Sequence, residues 1–174
     1  MKLLARVTRI FDGLVDYLAA TAGALILCAM LIVTLEVIMR YFLHRPQIWA
    51  VEFSEYILVW FTFLGATWIL REGGHARLDM AVNQLSPRAQ VLLGIISSII
   101  GAVVCLLLIV YGTQVTLDLF LRGVTEVKSQ ILMPKAPLVM IIPIGSLPLA
   151  IQFVRRGYRY LEQWRALPSK TERR

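Results

Sequence analysis

The chain has 174 residues, 58% of them hydrophobic and 17% charged, with a mean hydropathy of +0.71. That is too apolar for an ordinary soluble domain, which runs near half apolar and a quarter charged, and far too apolar for a disordered chain. The net charge of +7 would suit nucleic acid, but the basic residues flank apolar runs instead of forming one aromatic-interleaved surface, so the pattern is membrane-flanking charge and no nucleic-acid partner is expected.

Charge-free runs occupy residues 17–35, 56–70, 91–117 and 136–154. A helix rises about 1.5 Å per residue and the hydrocarbon slab is about 30 Å thick, so roughly 20 apolar residues cross it. An all-α integral membrane protein with four spans is predicted, as a membrane domain over residues 1–160 followed by a basic cytoplasmic tail over 161–174.

At the N-terminus Lys2, Arg6 and Arg9 precede an apolar run in the manner of a signal peptide. Asp12 and Asp16 interrupt its entry, however, and the small residues at 19–24 begin the run instead of ending a short apolar core, so the segment is expected to be retained, with 2–12 as an amphipathic lead-in. The first span covers about 14–39. The second must extend its 15 charge-free residues backward through 48–55 to be long enough. Trp49 and Trp68 then lie 19 positions apart, about 28 Å on a helix, matching the two interfacial aromatic belts. The short connection over 40–48 makes spans one and two a tight hairpin.

Gly73 and Gly74 end the second helix, and the mixed apolar and charged residues 77–85 suit a short helix lying in the cytoplasmic interface. Pro87 fits the first turn of the third span. Pro137, Pro143 and Pro148 fall in the fourth, which is expected to be a kinked span and not a loop, because neighbouring helices in a bilayer can satisfy the freed carbonyls. Counting Lys and Arg in the connections puts thirteen of eighteen on the side of both termini, which are therefore expected to be cytoplasmic; without the C-terminal residues the bias narrows to six against five.

Catalytic signatures are missing from the sequence: no GxSxG, HExxH, Walker A or GxGxxG motif occurs. His44 and His75 are the only histidines and fall on opposite sides of the membrane in this topology, which argues against a two-histidine haem site. Cys28 and Cys105 each lie inside an apolar run, outside any CxxC pair, and behave as small apolar residues. Neither an enzyme nor a metal or cofactor site is expected.

The most informative polar set is Glu36, Arg40, Arg45, Glu52 and Glu55, gathered by the first hairpin near the outer boundary. Charges there are costly unless paired or wetted. Glu36 and Arg40 are spaced i,i+4, and Glu52 and Glu55 sit where the dipole of the second helix favours anions. The set reads either as an ion-pair network pinning helices or docking a partner, or as a cation or proton site. Small residues line the third span at Gly94, Ser97, Ser98, Gly101, Cys105 and Gly112, and the first at Ala20, Gly23, Ala24 and Cys28. Such residues let helices associate closely in lipid, within the chain or with another subunit.

Glu36-Val-Ile-Met-Arg40-Tyr41, then Pro46, Trp49, Glu52, Ser54, Tyr56 and Trp60, then Phe63-Leu64-Gly65-Ala66, together resemble the small membrane subunit of tripartite ATP-independent periplasmic (TRAP) transporters, the DctQ-like family. Arg71, His75 and Asp79 are similar to its cytoplasmic-loop pattern, and Pro134-Lys135-Ala136-Pro137, Pro143-Ile144-Gly145 and Gln152 to its fourth span. The resemblance covers roughly 14–159. It implies an inner-membrane protein paired with a large subunit of about twelve spans that holds the substrate and sodium sites, and a periplasmic binding protein that delivers an organic acid. The small subunit would enlarge the static scaffold against which the transport domain moves, with phospholipid around it. Partner-contact roles are implied for Glu36, Arg40, Trp49, Glu52, Arg71 and His75, beside Glu55 as an ion-pair candidate. The rival reading is a standalone ion-coupled exporter working as a homo-oligomer, with Glu36 or Glu52 as its proton-binding carboxylate.

Overall fold

The computed structural model describes residues 2–45, 47–72, 86–123, 125–127 and 132–166, and among these residues there are four long helices. They are α1 (Lys2–Phe42), α2 (Ile48–Arg71), α3 (Pro87–Arg122) and α4 (Ala136–Ala166). Within them Thr8–Phe42, Trp49–Arg71, Arg88–Leu121 and Ala136–Ala166 are each long and apolar enough to cross a membrane. The fold is the all-α, four-span architecture read from the hydropathy. The interfacial helix expected near 77–85, His75 with it, and the tail beyond 166 lie outside the described residues.

Several boundaries have local causes. Helix α1 is continuous over 41 residues, so the lead-in at 2–12 is no separate element. At that length it measures about 60 Å, twice the hydrocarbon thickness, and must tilt or project beyond it. The turn into α2 is closed by the N–H groups of Leu43 and Arg45, both donating to the Met39 carbonyl, with His44 at φ +55° between them. Histidine is among the few non-glycine residues that tolerate this left-handed region.

Ser86 caps α3 by accepting from the Ala89 N–H at 3.4 Å, and Pro87 occupies the first turn as expected. Gly123 ends α3 at φ +58°, the position where a side chain would be strained. Beyond it, Thr125–Val127 and Leu132–Pro134 form a two-stranded antiparallel ribbon with Thr125 opposite Pro134. Three-residue strands carry too little alternation to be seen in sequence. Pro143 and Pro148 lie inside α4, which runs unbroken through both and on to Ala166, past residue 160.

The packing order is not the chain order. Helix α1 packs on α2, α2 on α4, and α4 most extensively on α3, a row α1–α2–α4–α3. Ala22, Leu64 and Ile141 form the core where the first three of these meet, with Leu18, Val59, Trp60 and Phe63 around them. Large apolar side chains such as Leu31, Ile99 and Leu106 point outward, as lipid-facing residues do.

Candidate functional site

At the end where α1 turns into α2, Glu36 is buried in α1 at 5% exposure, and Arg40 Nε donates to its Oε1 at 2.8 Å. The i,i+4 spacing thus yields a charge-assisted bond that neutralises the carboxylate where water is scarce. Glu52 is buried in the first turns of α2, while Glu55 and Arg45 are exposed. Trp49 Nε1 donates to Gln47 Oε1 at 2.9 Å and sets its ring edge-on to Phe53, which orients the indole at the helix start.

The opposite end of the helices holds a more extensive polar assembly. Arg71, last residue of α2, donates through Nη1 to the Asp12 carbonyl at 3.1 Å, and through Nη2 to the Asp16 carboxylate. Its Nε reaches Glu72 at 3.3 Å. Arg155 of α4 donates to Asp12 Oδ1 at 2.8 Å and lies over the Phe11 ring, 5.2 Å from its centroid. One turn of α1 is therefore bonded to both α2 and α4, residues 59 and 143 positions away in sequence.

Sequence spacing does not reveal this bracket: along the chain Asp12 and Asp16 are only interruptions before a span, and Arg155 is only one of the basic residues flanking the fourth. The available signal was two carboxylates spaced i,i+4 among basic residues at the same depth, an unusual placement unless each meets a cation.

Of the small-residue stripe of α3, Gly94, Ser98, Gly101, Cys105 and Gly112 pack within the chain, while Ser97 is exposed. A Cβ on Gly94 would lie 2.6 to 2.7 Å from the Tyr160 ring, and one on Gly101 would collide with Phe153. Gly112 receives Pro143, whose Cδ would sit 3.1 Å from an added Cβ. Cys105, 2% exposed, is buried in the same helix, and Ser98 turns its hydroxyl back to the Gly94 carbonyl at 2.7 Å. Gly145 of α4 sits directly on Phe63 of α2. Gly23, in contrast, has nothing within 4 Å of its would-be Cβ; the α1–α2 approach is made by Ala22 against Gly65 instead.

A row of lipid-facing helices, joined by glycine contacts and by the Arg71 and Arg155 ion pairs to α1, defines a multi-pass membrane protein. A family model, "Tripartite ATP-independent periplasmic transporters, DctQ component", matches residues 29–163. The chain belongs to this family, a component of transporters of the bacterial inner membrane. It is 30% identical over 93 residues to a protein of Haemophilus influenzae described as a TRAP transporter small permease protein, an overlap of 53% of this chain and 57% of that relative. The chain thus spans somewhat over half the length of the curated relative it matches.

Proposed function

We propose that this chain is the small scaffold subunit of a sodium-coupled TRAP transporter, bracing a large membrane subunit that takes up an organic acid from a periplasmic binding protein. The observation that carries this reading is the inner bracket. Arg71 and Arg155 tie one turn of α1 to α2 and α4, and glycine contacts fasten α3 to α4, so the helices resist sliding past one another. A body against which another moves must not itself yield.

In this reading Glu36, Arg40, Trp49, Glu52 and Glu55 contribute to the partner contact near the outer boundary, and His75 at the inner one. Family membership supports a transporter component in place of an enzyme. Both termini face the cytoplasm, which reporter fusions at Arg45 and Arg174 check by giving signals from opposite compartments.

Reconstitution in liposomes tests the assignment. The chain alone should catalyse no uptake, and uptake should require the large subunit and the binding protein together. Sodium-driven flux from the isolated chain would overturn the scaffold role and favour the exporter.

A further inference from the structure

We propose that two copies of this chain pair in the membrane through the outward face of α3, the helix at one edge of the row. Ile96, Ile100, Val103, Leu107, Val110 and Gln114 recur at alternating intervals of four and three residues. All six are exposed, on the side of α3 turned away from Gly94, Gly101 and Gly112, which pack on α4. A period of 3.5 residues is the one by which two parallel helices keep a continuous seam. Apolar residues at such spacing are common in any lipid-facing helix, and two further observations point to a second copy.

The first is Gln114, which lies inside the charge-free run at 91–117. Around it, Thr113 and Thr116 donate their hydroxyls to the carbonyls of Ile109 and Gly112, and Asp118 accepts from Arg122 at 2.6 Å. Of these polar side chains the Gln114 amide alone makes no such bond among the described residues. An amide facing hydrocarbon without a partner is costly, and acyl chains offer it none. A second Gln114 supplies what the first lacks. Two copies inserted the same way are related by a two-fold axis along the bilayer normal, which sets equivalent residues face to face at equal depth. Each amide then donates to the carbonyl oxygen of the other.

Hydrophobic length is the second observation. The run at 91–117 makes about 40 Å of helix, against about 28 Å for the runs at 17–35 in α1 and 136–154 in α4. The excess lies at one end. Phe153 packs at Gly101, so Arg155, which bonds Asp12, is level with about residue 99 of α3. Helix α3 stays apolar from there to Val91, about 12 Å further, with Leu92, Leu93 and Ile96 exposed. A bilayer whose boundary meets the Asp12–Arg71–Arg155 cluster must thicken around these turns, at a cost for every ångström. The α3 of a second copy has the same length and covers them; a span of ordinary length does not. At the other end each Asp118 is paired with its own Arg122, so the copies do not repel there. Helix α4 stands between this edge and the α1–α2 hairpin, so the pairing leaves the hairpin uncovered and does not depend on what docks there.

The test is reconstitution of the full chain in liposomes. Association is read by energy transfer between two tagged populations over a range of protein-to-lipid ratios, and contacts by disulfide trapping with a copper–phenanthroline oxidant. On a Cys28→Ser background, Val103→Cys and Leu107→Cys should each give a covalent dimer, while Leu31→Cys, exposed on α1, should not. Gln114→Leu should weaken association about 3- to 30-fold, and Gln114→Asn, which keeps an amide, should retain most of it. Because the position is exposed, melting of the detergent-solubilised monomer should be unchanged in both. Association should also be tighter in short-chain than in long-chain phosphatidylcholine, where the bilayer itself covers the extra turns. Energy transfer no higher than chance at every ratio, trapping at Leu31→Cys equal to that at Val103→Cys, an unaltered dimer in Gln114→Leu, or indifference to acyl length overturns the proposal. Loss of the dimer when the large subunit is added assigns this edge to that subunit and overturns it as well.

Discussion

Gly145→Ala probes the contact on which the row of helices depends. The α2–α4 interface joins the α1–α2 hairpin to the α3–α4 pair, and at Gly145 the backbone of α4 lies directly on that of α2 at Phe63. An added methyl would stand 2.6 Å from Phe63 Cβ, 3.0 Å from its carbonyl oxygen and 3.1 Å from its carbonyl carbon. Carbon atoms pack at about 3.5 to 4.0 Å, so the helices must separate by roughly 1 Å. Two of the three obstructing atoms are backbone, and no rotamer change relieves them. At Gly94 and Gly101 the obstruction is a ring that can swing.

Overpacking of this kind costs about 1 to 3 kcal/mol, and the rigid neighbour places Gly145→Ala toward the upper end. The better helix propensity of alanine offsets little, because detergent-denatured spans keep their helices. At about 2 to 4 °C per kcal/mol for a chain of this size, a loss of about 2 to 3 kcal/mol lowers the melting temperature by about 4 to 12 °C. Gly23→Ala is the matched control: same substitution, same helix-interior setting, and open space around the new methyl. It should melt within about 2 °C of the parent, since surface changes stay within about 0.5 kcal/mol. Fluorescence-detected melting in one detergent compares the two. A Gly145→Ala protein as stable as the parent, or a Gly23→Ala protein equally weakened, would refute the placement of α2 on α4.

Arg71→Gln should destabilise by about 1 to 2 kcal/mol, because it removes bonds to both the Asp12 carbonyl and the Asp16 carboxylate. In a double-mutant cycle with Asp16→Asn the coupling should be smaller, about 0.5 to 1 kcal/mol, as Asp16 is 60% exposed; a coupling of zero would remove that pair from the bracket. Ser146→Ala should be neutral or stabilising, since the buried Ser146 hydroxyl has no partner, whereas Ser54→Ala loses a 2.7 Å bond to the Ala50 carbonyl and should cost about 1 kcal/mol. Thermal melting that ranks the two serines the other way contradicts this assignment. Glu52→Gln should reduce recovery of the large subunit in mild detergent more than it changes solute preference; an intact complex with altered ion stoichiometry would favour a coupling role for that carboxylate.

Hydropathy determined the four spans, because a backbone in hydrocarbon must satisfy its own hydrogen bonds and a helix is how a single segment does so. The Glu36–Arg40 pair and the start of α3 at Pro87 were likewise legible, since each depends on residues within one or two turns. The side chains that meet across helices were not. Nothing in the spacing of Asp12, Arg71 and Arg155 says that they share a site, and nothing in the stripe of α3 says that Tyr160 and Phe153 fill it while Gly23 faces open space. In lipid, one apolar face is as well solvated as another, so the apolar pattern along each helix leaves its neighbours undecided. The row α1–α2–α4–α3 is settled by steric fit at glycines and by charges that must find each other at the Asp12–Arg71–Arg155 end, and both exist only once the helices are assembled.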